Sequence, residues 1–147
     1  MFKHILVPTD GSQLSQETVK RAVVFAKEIG ARITVFYAKP EYPVTYYGEG
    51  ALIDPPTPEK FAELAEEQAQ EILGFVATLC QEGGVNCTKL SLTNDVPYEA
   101  IIQAATDSNC DLIFMSSHGR RGISALLLGS ETHKVLTHSK IPVLVYR

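Results

Sequence analysis

The sequence predicts an α/β fold, a single doubly wound domain with a parallel sheet and helices on both faces. Three observations carry that expectation. Short apolar runs alternate with longer segments of helical periodicity along the whole chain. The runs are apolar at successive positions, the pattern of strands buried on both faces. The segments between them are long enough for crossover helices, which in such sheets are right-handed. No repeat, linker or low-complexity tract divides the 147 residues, so one domain spanning 1–147 is expected.

The first strand is expected at 3–8, ended by Pro8. Thr9-Asp10-Gly11-Ser12 reads as a turn into a helix, with Ser12 or Ser15 available as cap. Val19, Ala22, Val23, Ala26 and Ile29 recur at helical spacing, and Gly30 stops them. Arg32–Ala38, rich in Ile, Val, Phe and Tyr, is the second strand. Residues 39–57 hold Pro40, Pro43, Pro55, Pro56, Tyr42, Tyr46 and Tyr47, a long loop of the kind that covers a site or a partner. The other reading is that its tyrosines seal the underside of the next helix.

That helix begins at Pro58-Glu59, and its expected buried stripe is Phe61, Leu64, Ala65, Ile72, Leu73, Val76, Leu79 and Cys80. Glu63, Glu66, Glu67 and Glu71 form a solvated face, and Gly83-Gly84 ends the helix. A third strand is expected at 85–92. Asn94-Asp95 then turns into a helix from Pro97 to about Asp107, with Ala100, Ile101, Ala104 and Ala105 inward. Asp111–Met115 is the fourth strand and Pro142–Tyr146 the fifth.

Between the last two strands lies the most informative stretch, Ile113 to Ser130. A buried run breaks into a small-residue, basic segment, and Gly129-Ser130 then opens a helix carrying Val135 and Leu136. A glycine-rich turn leading from a strand to a helix N-terminus aims N–H groups at one spot. The helix dipole adds partial positive charge, so the spot favours phosphate. Gly119 and Gly129 allow close backbone approach, Ser130 can cap the helix or donate its hydroxyl, and Arg120 and Arg121 add charge.

This stretch, with Val-Pro-Thr-Asp-Gly-Ser at 7–12, resembles the universal stress protein family in its nucleotide-binding branch. That branch carries Gly, two residues, Gly, nine residues, then Gly-Ser or Gly-Thr. Gly119, nine residues and Gly129-Ser130 match, while Ser116 stands at the first glycine. The resemblance covers essentially the whole chain. It implies the strand order 3-2-1-4-5, which periodicity cannot give. In such sheets a ligand lies beyond the carboxyl ends of the strands, at the switch point between strands 1 and 4. Thr9-Asp10 and Ser116–Gly119 follow those two strands and would converge there.

At that crevice Asp10 could accept from ribose hydroxyls, or merely cap the first helix. Pro8 and Thr9 would shape the wall. Ala38 matches the family position whose backbone meets adenine. Met115 packs against that base or is a plain core residue. Gly119, Gly129 and Ser130 would hold the phosphates, with Ser116, His118 and Arg120 beside them and Ser117 and Arg121 given less weight. The resemblance thus implies ATP, with Mg²⁺ on its phosphates, and a homodimer joined through 141–147.

Other chemistries lack their signatures. There is no Gly-x-x-x-x-Gly-Lys-Ser/Thr loop and no Gly-x-Gly-x-x-Gly after the first strand. No Gly-x-Ser-x-Gly elbow exists, and Ser117 and His118, being adjacent, are not expected to pair as nucleophile and base. Three readings follow: a nucleotide-dependent regulator in stress response, a slow ATPase or self-phosphorylating protein, and a nucleotide-free dimeric adaptor. The glycine spacing favours the first.

Composition bounds the rest. Net charge is −4 with no basic block beyond Arg120-Arg121, which argues against nucleic acid as the partner. No apolar run approaches the ~20 residues of a membrane span. The first residues run directly into a strand, leaving no room for a signal peptide, so a cytoplasmic location is expected. Cys80, Cys87 and Cys110 read as core residues or stray thiols, and His133 and His138 fall on different helical faces, so no protein-built metal site is expected.

Overall fold

The computed structural model describes residues 1–43, 55–119 and 128–147. Along it run β1 (His4–Pro8), α1 (Gln13–Ile29), β2 (Arg32–Lys39), α2 (Pro58–Gly83), β3 (Cys87–Thr93), α3 (Pro97–Asp107), β4 (Leu112–Ser116), α4 (Ser130–His138) and β5 (Val143–Tyr146). The five strands form one parallel sheet in the order β3-β2-β1-β4-β5. Fold class and strand order are those the sequence and its resemblance led us to expect.

Strand alternation divides the interior in two. Ile5 and Val7 of β1 face one core with α1 and α2, where Val19, Val23, Leu73 and Val76 meet them. Leu6 faces the other core, with Ala100, Ile101 and Ala104 of α3 and Val135 of α4. Each fully buried side chain of this size contributes ~1.5–3 kcal/mol, so both faces hold the sheet flat against its helices.

Helix ends are set locally. The Ser12 hydroxyl accepts from Ser15 N–H at 3.3 Å and caps α1. Thr57 does the same for α2 through Lys60 N–H at 3.1 Å, with Pro58 in the first turn. Gly84, at φ 71°, ends α2 in the left-handed region.

Three expectations are corrected. Leu64 is 47% exposed, and the buried stripe of α2 is Ala65, Ala69, Leu73, Val76 and Cys80. Leu64 lies one position off that line, and Phe61 is half-buried against Tyr42, ring centroids 5.5 Å apart. The third strand starts at Cys87 rather than 85, because Val85 N–H is spent on Cys80 C=O at 2.8 Å in the helix cap. The fifth strand starts after Pro142, which has no N–H, though its C=O accepts from Ile113 N–H at 2.9 Å. In the loop, Tyr42 donates to Pro56 C=O at 2.8 Å, in line with the sealing reading. Tyr46 and Tyr47 lie outside the described residues.

Candidate functional site

The turn after β1 is fixed by short polar links. Thr9 N–H donates to Phe36 C=O at 2.9 Å, binding the turn to the end of β2. The Ser15 hydroxyl, buried on α1, donates to Thr9 Oγ1 at 2.8 Å and accepts from Asp10 N–H at 3.3 Å. Asp10 Oδ1 accepts from Ser12 N–H at 2.9 Å, so Asp10 braces the turn while Ser12 caps the helix.

The loop after β4 is held as firmly. Ser116, the residue at the motif's first glycine, donates its hydroxyl to His118 C=O at 2.8 Å. Its C=O accepts from the buried Thr132 hydroxyl at 2.9 Å, docking the first turn of α4 onto the strand end. Ser117 N–H donates to Tyr146 C=O at 2.9 Å, and its hydroxyl lies 3.1 Å from His118 Nδ1. These neighbours therefore do meet, against expectation. Ser117 is nonetheless 3% exposed and does not line the cleft, so the pair presents no open nucleophile.

Both motif glycines serve close packing. A Cβ on Gly119 would stand 2.6 Å from Asp10 Oδ2. One on Gly129 would stand 2.8 Å from Ser117 C=O and 3.2 Å from His118 Cα. At Gly129 the neighbours are backbone and cannot give, so glycine is what lets the β4 loop and the start of α4 close on one another; at Gly119 the neighbour is the end of the Asp10 side chain. Gly129 N–H is itself taken by Ser117 C=O at 2.8 Å. The helical ladder of α4 starts with His133 N–H to Gly129 C=O at 2.9 Å. The N–H groups of Ser130, Glu131 and Thr132 therefore have no partner within the helix. Ser130 is the first helical residue and not the cap; Gly129 holds that position.

Together these segments wall a cleft of about 640 Å³ at the carboxyl ends of β1 and β4. Pro8, Thr9, Asp10, Ala38, Met115, Ser116, His118, Gly119, Gly129 and Ser130 all line it. Arg120 and Arg121 lie outside the described residues. No trio of His, Cys, Asp or Glu among the described residues is placed to hold a metal ion.

The profile of the universal stress protein family matches residues 1–147. The chain belongs to that family. A universal stress protein of Methanocaldococcus jannaschii is 34% identical over 148 residues, covering 100% of this chain and 83% of that protein. One from Thermus aquaticus is 33% identical and covered in full on both sides. Among solved structures, a hypothetical protein of M. jannaschii superposes with a TM-score of 0.81 at 26% identity, over 99% of this chain and 95% of its own. Three more distant members of the fold were solved with ligands. One holds cAMP (TM-score 0.72, 22% identity, 99% and 97% covered). One from Archaeoglobus fulgidus holds dAMP (0.69, 16%, 100% and 98%). One from Arabidopsis thaliana holds AMP (0.62, 18%, 97% and 90%).

The family's motif residues do not account for the whole cleft. Phe36, Asp95, Pro97, Ile101, Leu128, Glu131 and Thr132 line it too. Asp95 was open to inference, since the turn after β3 emerges at the same sheet end. Glu131 was not: its carboxylate accepts from Tyr98 N–H at 2.9 Å and so caps α3 from α4. Val96, the residue at the α3 cap position, makes no side-chain cap bond. No local pattern announces such an exchange between two helices.

Proposed function

We propose that this universal stress protein binds ATP, with Mg²⁺ on its phosphates, and acts as a nucleotide-dependent regulator in the cytoplasm. The observation that carries the reading is the convergence of two sequence-distant turns, Pro8–Asp10 and Ser116–Gly119, on one cleft headed by the α4 N-terminus. The adenine nucleotides held by distant members of the fold support the ligand class. In this reading the N–H groups of Ser130, Glu131 and Thr132 face the phosphates, where helix partial charge favours them. Gly119 and Gly129 keep the cradle closed behind them. Asp10 receives the ribose, Pro8 and Thr9 form the wall, and Ala38 and Met115 meet the base. Ser116 and His118 support the loop, and Arg120 adds charge. Mg²⁺ arrives on the phosphates, since magnesium sites of this type use few protein ligands.

Turnover is slow in this reading, far below the ~1 per second at the low end of ordinary enzymes. His118 already contacts Ser117, and no other described side chain is set as a base for water.

The test is a thermal titration of nucleotide-free protein. ATP at about 100 times its dissociation constant stabilises the fold by roughly 2.7 kcal/mol, a melting shift of some ~5–10 °C. AMP and adenosine shift it less, and Asp10→Ala weakens all three, because all carry the ribose. A flat titration with ATP and Mg²⁺ would leave the adaptor reading.

The proposal extends to a homodimer through 141–147. Among the described residues β5 pairs only with β4, and Val143 to Tyr146 are half-buried, so an apolar edge remains for a second copy. Removing 143–147 should give monomer or aggregate by light scattering; an unchanged dimer removes this interface.

A further inference from the structure

Glu131 stands in the first turn of α4 and lines the cleft, at the helix end that the ATP reading assigns to the phosphates. Its carboxylate is held from two sides. Oε2 accepts from Tyr98 N–H at 2.9 Å, one of the donors that α3 cannot satisfy within itself. Val96, at the α3 cap position, makes no side-chain cap bond, so the acceptor comes from the neighbouring helix. Oε1 lies 3.3 Å from Lys134 Nζ, one turn along α4. The turn that carries Glu131 is itself docked, because the Thr132 hydroxyl donates to Ser116 C=O at 2.9 Å. A negative charge is thus fixed beside the proposed phosphate cradle.

Resting on the ATP reading, we propose that Glu131 is a specificity-determining residue that selects the ligand by its charge. It disfavours metal-free triphosphate and admits the triphosphate that arrives as its complex with a divalent cation. An acidic side chain in the first turn already takes up the favourable field of a helix N-terminus, so a second anion placed there meets its charge. The lining of the cleft deepens the effect. Among the described residues that form it there are two further carboxylates, Asp10 and Asp95, and neither lysine nor arginine. Lys134, which pairs with Glu131, is exposed, so water screens what it can offset.

The cation travels with the ligand, as magnesium does when phosphate oxygens and water supply most of its shell. By cancelling much of the phosphate charge it removes the repulsion that Glu131 sets up. Adenosine carries no phosphate and is indifferent to Glu131, and AMP falls between. Charge and structure can be separated at this position. Glu131→Gln removes the charge and keeps a carbonyl oxygen that can accept from Tyr98 N–H. Glu131→Asp keeps the charge and shortens the reach to α3.

The experiment is titration calorimetry of nucleotide-free, full-length protein with adenosine, AMP and ATP, each with EDTA and with excess Mg²⁺. Wild type should bind ATP more tightly with Mg²⁺ than with EDTA. Glu131→Gln should tighten metal-free ATP by roughly tenfold, the scale of a charge pair a few ångströms apart near a surface, and leave adenosine unchanged. Glu131→Asp should keep the wild-type preference for the Mg²⁺ complex. Arg120 and Arg121 are present in every variant, so their charge cancels from the comparison. The proposal alone is overturned if wild type binds ATP equally in both buffers, if Glu131→Gln shifts adenosine as much as metal-free ATP, or if Glu131→Asp behaves as Glu131→Gln does. Wild type that binds none of the three ligands in either buffer removes the ATP reading, and this proposal with it. The wild-type comparison of the two buffers decides even where a variant folds poorly.

Discussion

At the amino end of the sheet, the starts of β1 and β4 are tied by side chains to each other's backbone. The Asp111 carboxylate accepts from Lys3 N–H at 2.8 Å and from His4 N–H at 3.0 Å, and Asp111 N–H returns to His4 C=O at 2.9 Å. The His4 ring reaches across to Thr34 on β2, Nε2 to Oγ1 2.7 Å. At the carboxyl end the same strands separate into turns. There the contacts secure the turns, and the first turn of α4 lines a cleft. One end uses a carboxylate to close backbone donors. The other uses glycine to bring loops together around the cleft. The difference teaches that one end of the sheet is closed by pairing backbone donors, while the other is shaped into a cleft by the close packing of its turns.

The largest effect should come from closing the open end. Gly129→Val puts side-chain carbon against the backbone of Ser117 and His118, which cannot swing aside. Overpacking of this kind costs about 1–3 kcal/mol in the free protein. If the cradle binds ATP as proposed, the variant also loses the nucleotide stabilisation, so with ATP at about 100 times its dissociation constant the deficit grows to roughly 4–6 kcal/mol. Melting with and without ATP measures both parts. A variant that keeps the full ATP shift would separate Gly129 from the phosphate cradle.

Breaking the closed end should give a smaller effect of the opposite kind. Asp111→Ala leaves the Lys3 and His4 N–H groups without their acceptor. Bonds to a charged group contribute ~1.5–3 kcal/mol each, and partial exposure here brings the loss to about 2 kcal/mol in total. Urea unfolding should show this loss while the ATP-dependent shift stays as in the wild type. Loss of the shift as well would mean that the two ends are not independent.

The two ends were not equally legible. Pro8, Thr9, Asp10, Gly119 and Gly129 could be picked from sequence because turns between strands and helices demand few residue types at short spacing. Their purpose was less visible. Gly129 reads from the sequence as a place for close approach to an anion, and the structure adds that two chain segments touch there. Asp111 looked like the first residue of a strand, and it caps a strand more than a hundred residues earlier. Thr132 and Glu131 act by where α4 sits on the sheet, which depends on packing across the whole domain. Leu64 failed for a related reason: the sheet selects one line of α2 out of an apolar surface wider than it can cover.

The smallest effect is a pH dependence confined to the closed end. Burial, then the positive charge of Arg32, holds the His4 ring below its ordinary 6.5, against weaker opposition from Asp111 and the backbone of Asn109 and Ser108. Between that lowered value and 6.5 the unfolded chain binds a proton that the folded chain does not. Stability is then full above 6.5 and falls as the pH drops below it, levelling once the folded ring is also protonated. One group gives a slope of at most about 1.36 kcal/mol per pH unit. Asp111 adds a second, more acidic step: burial opposes its ionisation, but the His4 and Lys3 N–H groups outweigh it and hold the carboxyl below 3.8. Its contribution is therefore present above 3.8 and lost as the pH falls through the folded value. Melting nucleotide-free protein from pH 8 to pH 3.5 should show the first decline and the onset of the second. His4→Gln, which can still donate to Thr34, should flatten only the first. If the variant loses stability with the same slope just below pH 6.5, the proton is taken up elsewhere, and the amino end is held by packing rather than by an uncharged His4.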